Sequence, residues 1–256
     1  MICPWGSTQS WRAAFTGQYD DEIIQLLSTY IRPNTVILDI GASLGFYAIP
    51  LAILAGGLAA KVVAIEPVPL NCQYLNLNAQ ENHLDCTRLE ILCFGLSSRP
   101  ERVVMKVEGK GAGNASIASG IASSEIDHHS AVGRLHRTEF VDLRTLDDLL
   151  LDQPDPCSLI KIDTEGFEMF VLRGGAGVIH AHRLVIFGEF NIDWHKARNV
   201  PLEEPLVWAR ENDYQAFDIC GRRVASFSDA TTLEMIPSAR PQVPDGTEGV
   251  LLIPNK

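Results

Sequence analysis

The sequence is short of positive charge and lacks closely spaced cysteine pairs, and each absence argues against a class of function. Its 21 lysines and arginines face 32 aspartates and glutamates, which gives a formal net charge of −11. A strongly acidic surface repels phosphate backbones and anionic lipid, so no nucleic-acid or membrane partner is expected. The six cysteines include no C-x-x-C pair, which argues against a zinc site. Cys72 and Cys93 are predicted to be small, reduced core residues.

Long apolar runs are also missing. The longest run, at about residues 47–60, is interrupted by Pro50, Gly56 and Gly57 and is too short to span a bilayer. The first 30 residues contain no apolar stretch of signal-peptide length. These observations predict a cytoplasmic protein, and they leave its oligomeric state open.

Strand and helix patterns alternate along most of the 256 residues, which fits one large α/β domain over residues 1–256. This alternation predicts a mostly parallel central sheet with helices on both faces, in a Rossmann-like arrangement. The predicted helices cover residues 20–31, 46–55, 67–80, 145–151 and 203–212, with one more beginning near residue 165. The predicted strands cover residues 35–40, 61–65, 89–94, 103–107, 140–143, 159–162, 183–187 and 250–253.

Two segments stand apart from the alternating pattern. Residues 1–34 are predicted to form an N-terminal helical segment. Residues 109–136 are rich in glycine, alanine and serine as far as about residue 130, and they are long for a connection within a compact domain. We therefore predict that residues 109–136 form an inserted, flexible lid.

The first motif is VILDIGASLG at residues 36–45, a strand followed by a glycine-rich turn and the start of a helix. Gly41 permits unusual backbone angles and close approach of a ligand, and the amides at the helix start are expected to favour an anionic group. The carboxylate of Asp39, at the end of the strand, suits an ammonium group. Glu66 follows Gly45 by 21 residues and can accept hydrogen bonds from ribose hydroxyls. The combination predicts a nucleoside-bearing ligand.

The second motif is SLIKIDTEGFE at residues 158–168. The alternation of a strand with a period of two predicts that Lys161, Asp163 and Glu165 share one face, although Glu165 is also expected to begin a helix. Charges at the end of a buried strand are costly without partners, so this motif indicates either an active-site edge or a structural cluster of ion pairs.

The chain resembles the FkbM-type family of S-adenosylmethionine-dependent methyltransferases, which have the Rossmann-like class I fold. The matching segments are LDIGASLGFYAIPLA from Leu38, AIEPVPLNCQYLNLN from Ala64, RTLDDLL from Arg144 and IKIDTEGFEMFVLRGG from Ile160. The resemblance implies S-adenosylmethionine as cofactor and Lys161, Asp163 and Glu165 as catalytic residues. The residues that it implies for cofactor binding are Asp39, Gly41, Ala42, Ser43, Gly45, Glu66, Pro67, Gly95, Leu96 and Asp163.

The family pattern also has consequences for adenine and for the acceptor. Family members often carry an acidic residue after the third strand, near the adenine amino group, whereas this chain has Phe94-Gly-Leu-Ser-Ser98 there. Backbone groups or Ser97 are expected to take that role. Because the family's acceptors are mostly hydroxyls of sugars, polyketides and other natural products, the resemblance implies O-methylation of a small molecule in natural product biosynthesis.

Several alternatives stay open at this point. An NAD-dependent oxidoreductase has the same topology, but Asp39 stands where its first glycine belongs and would repel a pyrophosphate. A non-catalytic nucleoside-binding module is a second alternative.

A bound divalent cation is a separate possibility, because Asp163, Glu189 and Asn191 follow neighbouring strands and offer the oxygen ligands that magnesium prefers. Pairing of Glu189 with Lys161 is the competing interpretation.

Overall fold

The computed structural model describes residues 1–2, 20–108, 115–117, 136–152, 155–190, 195, 198–201, 203–226 and 249–255. The described helices are α1 (Asp21–Ser28), α2 (Ala48–Ala55), α3 (Pro69–Glu81), α4 (Leu146–Leu150), α5 (Glu168–Gly174), α6 (Ala176–His182) and α7 (Glu204–Glu211), with a 3₁₀ turn at Gly56–Leu58. The described strands are β1 (Val36–Ile40), β2 (Lys61–Ile65), β3 (Leu89–Leu92), β4 (Gly95–Leu96), β5 (Glu101–Glu108), β6 (Ala115–Ile117), β7 (His136–Arg144), β8 (Cys157–Ile162), β9 (Val185–Gly188), β10 (Tyr214–Phe217) and β11 (Val250–Pro254).

The main sheet has seven strands in the order β10-β11-β9-β8-β1-β2-β3. Its strands pair in parallel from β9 to β3, whereas β11 is antiparallel to both of its neighbours. The chain therefore has an α/β architecture with a mostly parallel central sheet, as the sequence predicts. Strand β10 was not expected. Its four residues, Tyr-Gln-Ala-Phe, form a short segment that includes a glutamine and an alanine and carries a weak strand signal.

Both faces of the main sheet are covered by apolar layers. Strands β1 and β8 are buried along their whole length, so neither face of their part of the sheet meets water. Leu38, Ile40 and Ile160 belong to the core on one face, and Ile37 and Leu159 belong to the core on the other. The alternation puts Asp39 on the face of Ile37 and Lys161 on the face of Leu159, so both charged residues interrupt the same apolar layer.

A second, smaller sheet has the order β4-β7-β5-β6. Strands β5 and β7 pair antiparallel from Glu101 opposite Leu143 to Glu108 opposite His136. Its buried side chains, among them Met105 and Val141, pack with Val68 at the start of α3. The small sheet thus lies against the end of β2, the strand that precedes Glu66.

The two unusual segments are described in part. Helix α1 lies within the predicted N-terminal segment, and residues 3–19 lie outside the described part of the chain. Most of the predicted lid, residues 109–114 and 118–135, also lies outside it, although residues 115–117 form a strand and residue 136 begins another. The lid stays a prediction.

The structure also bears on the two cysteines predicted to be buried and on membrane-spanning helices. Cys72 is buried as predicted, whereas the prediction for Cys93 was wrong, because strand β3 ends at Leu92 and Cys93 is exposed. Within the residues that the structure describes, no helix is both long and apolar enough to cross a bilayer.

Candidate functional site

Asp39 and Lys161 form a buried ion pair across neighbouring strands. They are register partners in the pairing of β1 with β8, and Lys161 Nζ lies 3.5 Å from Asp39 Oδ1. Their side chains are 1% and 3% exposed, respectively. Among the described residues, the Lys161 ammonium and the Ala48 amide are the donors that favour the ionised form of Asp39, although neither is ideally aligned with a carboxylate oxygen. Burial raises the pKa of Asp39 above its ordinary value, and the nearby Lys161 ammonium opposes this shift.

The Lys161 ammonium also contacts a second acid and an aromatic ring. Its Nζ lies 3.4 Å from Asp163 Oδ2 and 4.8 Å from the centre of the Tyr47 ring. Tyr47 in turn donates a hydrogen bond to Asp20 Oδ2 at 3.0 Å. The Asp163 side chain is 30% exposed, so it is the member of the group that reaches toward solvent. We call Asp39, Lys161 and Asp163 the central charge cluster.

The turn after β1 is packed tightly against this cluster. Gly41 has a φ of +81°, and a Cβ atom there would lie 1.8 Å from the carbonyl oxygen of Asp163. The amides of Gly41 and Ala42 both donate to the carbonyl oxygen of Ile65, at 2.9 and 3.1 Å, and that of Gly45 donates to Ala42. The Gly41 and Ala42 amides therefore tie β1 to β2, and the expectation that the amides at the helix start favour an anion stays a prediction.

Glu66 is buried at the end of β2 and accepts hydrogen bonds on both oxygens. Oε2 accepts from the Ser43 amide at 2.9 Å, and Oε1 accepts from the Val68 amide at 2.9 Å and from Asn71 Nδ2 at 3.1 Å. Burial raises the pKa of Glu66 to about 7, in spite of these hydrogen bonds. The carboxylate is held rigidly between the turn after β1 and the first turn of α3.

Gly95 and Leu96 lie next to this acid rather than in an open loop. They form strand β4, which pairs with β7, and both are buried. A Cβ atom on Gly95 would lie 2.5 Å from Leu143 Cδ2 and 3.4 Å from the Cβ of Pro67. The small size of Gly95 therefore permits the close approach of Pro67, which follows Glu66, and the structure brings these predicted cofactor residues together.

The turn after β8 departs from its predicted form. Helix α5 begins at Glu168 and not at Glu165, which has a left-handed φ of +54°. The buried Glu168 carboxylate accepts three hydrogen bonds on Oε1, from the Thr164 amide, the Thr164 hydroxyl and the Gly166 amide, at 2.9, 3.0 and 3.1 Å. Burial raises the pKa of Glu168 above its ordinary value. This acid shapes the turn that presents Asp163 and Glu165.

The predicted cation ligands are brought together only in part. The Glu189 amide donates to Ile162 at 3.0 Å, which puts Glu189 beside the end of β8, while Asn191 lies outside the described residues. Across the part of the chain that the structure describes, no group of three or more His, Cys, Asp or Glu side chains could hold a metal ion. The cation hypothesis gains no support from these residues.

Three residues of the site escaped sequence analysis, namely Tyr47, Asn71 and Glu168. Tyr47 and Asn71 lie in segments predicted to be helical, in which a single aromatic ring or amide carries no separate signal. Glu168 ends the motif at residues 158–168, and its place two residues after Gly166 could have indicated an acid that holds the preceding turn. All three are buried, which decides their roles and follows from packing.

The sequence also matches the model of a known protein family. The model of the family described as Methyltransferase FkbM domain matches residues 39–215. The chain belongs to this family. The match covers the central charge cluster, Glu66, the second motif and the first motif from Asp39 onward, so the resemblance in the sequence is confirmed. It makes the chain a member of a family of S-adenosylmethionine-dependent methyltransferases.

The fold is shared with a solved FkbM methyltransferase, and a second solved structure is less similar. An FkbM methyltransferase from Methylobacillus flagellatus KT has a TM-score of 0.51 at 18% identity, over 87% of this chain and 44% of that one. A TehB-like SAM-dependent methyltransferase from Corynebacterium glutamicum ATCC 13032 Kitasato has a TM-score of 0.46 at 12% identity, over 97% of this chain and 96% of that one. The chain thus spans less than half of the Methylobacillus protein. No curated protein sequence matches it.

Proposed function

We propose that the chain transfers the methyl group of S-adenosylmethionine to a hydroxyl oxygen of a small molecule. The observation that carries this proposal is the central charge cluster at the carboxyl ends of two neighbouring parallel strands. Open α/β sheets bind their ligands at this edge. Asp39 is buried, whereas Asp163 reaches toward solvent. We therefore assign Asp39 to the cofactor and Asp163 to the acceptor.

The residues present fit the cofactor. Asp39 is a buried carboxylate with one ammonium at 3.5 Å, and its oxygens lack well-aligned donors among the described residues. A second positive group, such as the ammonium of a methionine moiety, would lower the cost of burying it. Glu66 is an acceptor for ribose hydroxyls, and Pro67, Gly95 and Leu96 form an adjoining apolar wall. When bound, S-adenosylmethionine supplies an electrophilic methyl group on a sulfonium.

On the acceptor side, Asp163 is the group that can hold a hydroxyl. Its partly exposed carboxylate accepts the hydrogen bond of the acceptor hydroxyl, which aligns the oxygen for an in-line displacement and gives its proton a place to go. Lys161 keeps Asp163 oriented through the contact at 3.4 Å and offsets the charge of both acids. The tight turn between Thr164 and Gly166, held by Glu168, follows Asp163 directly and carries Glu165.

The alternatives are less well supported. An NAD-dependent oxidoreductase needs turn amides that face a pyrophosphate, and those of Gly41 and Ala42 are bonded to Ile65. A nucleic-acid acceptor is opposed by the net charge of −11. A non-catalytic nucleoside-binding module has no need of a partly exposed acid beside a buried ion pair.

The test has two stages. Calorimetry with S-adenosylhomocysteine and with NAD is expected to detect binding of the first and not of the second. The chain is then incubated with S-adenosylmethionine labelled in its methyl group and with fractions of a small-molecule extract. Nuclear magnetic resonance identifies the atom that receives the label, with Asp163→Asn as the matched variant of low activity. Label on nitrogen or carbon, or equal activity in Asp163→Asn, contradicts the proposal.

A further inference from the structure

Glu66 has less capacity for a ribose than a free carboxylate. Each carboxylate oxygen has two lone-pair sites. Oε1 already accepts from the Val68 amide and from Asn71 Nδ2, so both of its sites are used. Oε2 accepts from the Ser43 amide, which leaves it one site without a bond from the described residues. A ribose brings two hydroxyls, and Glu66 can accept one of them well.

The Asn71 side chain carries an acceptor oxygen, Oδ1, that receives no hydrogen bond from the described residues. Its side chain belongs to the first turn of α3 and is 3% exposed. Because Nδ2 faces the Glu66 carboxylate at 3.1 Å, the orientation of the amide is determined and Oδ1 points away from that carboxylate. Oδ1 is buried, and no described residue donates a hydrogen bond to it. A buried amide oxygen without a donor is costly, which points to a missing hydroxyl or amine at this position.

We infer that Asn71 Oδ1 accepts one ribose hydroxyl of the cofactor while Glu66 Oε2 accepts the other. Asn71 is then a cofactor-binding residue as well as the donor that holds Glu66. The inference deepens the proposed function and rests on the part of it that assigns the nucleoside to the Glu66 edge. It divides the recognition of the two hydroxyls between two side chains five residues apart, one on the end of β2 and one on α3.

The division can be measured with three ligands: S-adenosylhomocysteine and its 2′-deoxy and 3′-deoxy analogues. Calorimetry is carried out on the unsubstituted chain and on Asn71→Leu, which has a similar volume and no polar atoms. The unsubstituted chain is expected to prefer S-adenosylhomocysteine over each analogue by about tenfold, the loss of one hydrogen bond to a polar or charged group. Asn71→Leu should bind S-adenosylhomocysteine and one of the two analogues with similar affinity. It should still bind S-adenosylhomocysteine more tightly than the other analogue.

Two further variants separate binding from packing. Asn71→Asp keeps an acceptor oxygen, so it should keep both preferences while binding all three ligands more weakly, because a second carboxylate then faces Glu66. Asn76→Leu alters an exposed asparagine of the same helix, which donates to the Cys72 carbonyl at 2.9 Å, and should behave like the unsubstituted chain. Circular dichroism on every variant confirms folding.

A loss of affinity in Asn71→Leu by the same factor for all three ligands would show that Asn71 acts by packing alone, and it would overturn the inference. Unchanged affinities would overturn it as well, since a water molecule would then satisfy Oδ1. Absence of S-adenosylhomocysteine binding to the unsubstituted chain contradicts the proposed function together with the inference. Transfer of the methyl group to nitrogen contradicts the proposed function alone.

Discussion

Lys161 Nζ lies 3.5 Å from Oδ1 of Asp39, its register partner on the neighbouring strand, in a layer that is otherwise apolar. The two charges come from distant parts of the chain and meet where the central parallel strands end. A buried charge without its opposite charge is strongly destabilising. Each of the two residues therefore needs the other for its charge to remain buried. The acceptor-side acid Asp163 joins the same lysine, which links cofactor binding and acceptor orientation in one cluster.

Replacing Lys161 by methionine should destabilise the fold strongly. The substitution leaves Asp39 buried without its ammonium, and breaking a buried pair in this way costs about 3–5 kcal/mol. Urea denaturation measures the loss. Lys61→Met is the matched control, because its partner Glu90 and Lys61 itself are 41% and 36% exposed and such pairs contribute about 0–1 kcal/mol. The double variant Lys161→Met, Asp39→Asn should recover part of the stability. Equal losses in Lys161→Met and Lys61→Met would refute the importance of the buried pair.

The affinity for S-adenosylhomocysteine should depend on pH through Glu66. Its pKa is raised to about 7, and the ionised carboxylate is the better acceptor for a ribose hydroxyl. Binding measured by calorimetry should therefore weaken as the pH falls from 8 to 6. Glu66→Gln should bind more weakly than the unsubstituted chain at pH 8 and show a flatter profile. The same pH dependence in both proteins would assign it to another group.

The same carboxyl group predicts a pH dependence of stability with a definite sign. A pKa raised from 4.5 to about 7 by folding means that the folded state binds the proton more tightly. The resulting stabilisation is complete below pH 4.5 and is lost as the pH rises through 7. Relative to Glu66→Gln, the free energy of unfolding should fall by about 3 kcal/mol between pH 4.5 and pH 8, since one pKa unit corresponds to about 1.4 kcal/mol. A constant difference between the two proteins would contradict the shift.

Glu168 should tolerate glutamine far better than alanine. Glutamine keeps the oxygen that accepts from Thr164 and Gly166, whereas alanine leaves these donors, of which the Gly166 amide is buried, without a partner. We expect Glu168→Ala to lose about 3 kcal/mol or more and Glu168→Gln to lose about 1 kcal/mol, given the cost of unpaired buried donors. Chemical denaturation provides both values. Similar losses in the two variants would mean that the hydrogen bonds to the turn contribute little.

Gly41 should be irreplaceable, in contrast to Gly57 in the 3₁₀ turn. A methyl group at Gly41 would collide with the Asp163 carbonyl at 1.8 Å in a backbone conformation with φ of +81°. Gly41→Ala should lose about 3 kcal/mol or more, the combined cost of overpacking and of backbone strain. Gly57→Ala is the control, because nothing lies within 4 Å of the added atom. Thermal unfolding compares them, and a stable Gly41→Ala would show that the turn and the end of β8 can separate.

Much of the fold followed from local pattern. The apolar runs of β1, β2 and β8 and the periodicity of their helices predicted a mostly parallel α/β sheet, since such strands are buried on both faces. The element bounds were less predictable. Helix α5 begins at Glu168 because the turn that the Glu168 carboxylate holds precedes it, and strand β10 has too little local signal to be recognised. The family motifs also indicated the acids Asp39, Glu66 and Asp163.

The sequence by itself determined which chemical groups end the central strands, because period-two alternation puts charged residues on one face of an apolar run. It could not determine that Lys161 stands opposite Asp39, because that register depends on the pairing of β1 with β8, more than a hundred residues apart. Nor could it determine that Ile65 uses the amides of Gly41 and Ala42, or that Asn71 shares the carboxylate of Glu66. These are long-range contacts made by packing, and their energies arise only when burial removes water from the groups involved.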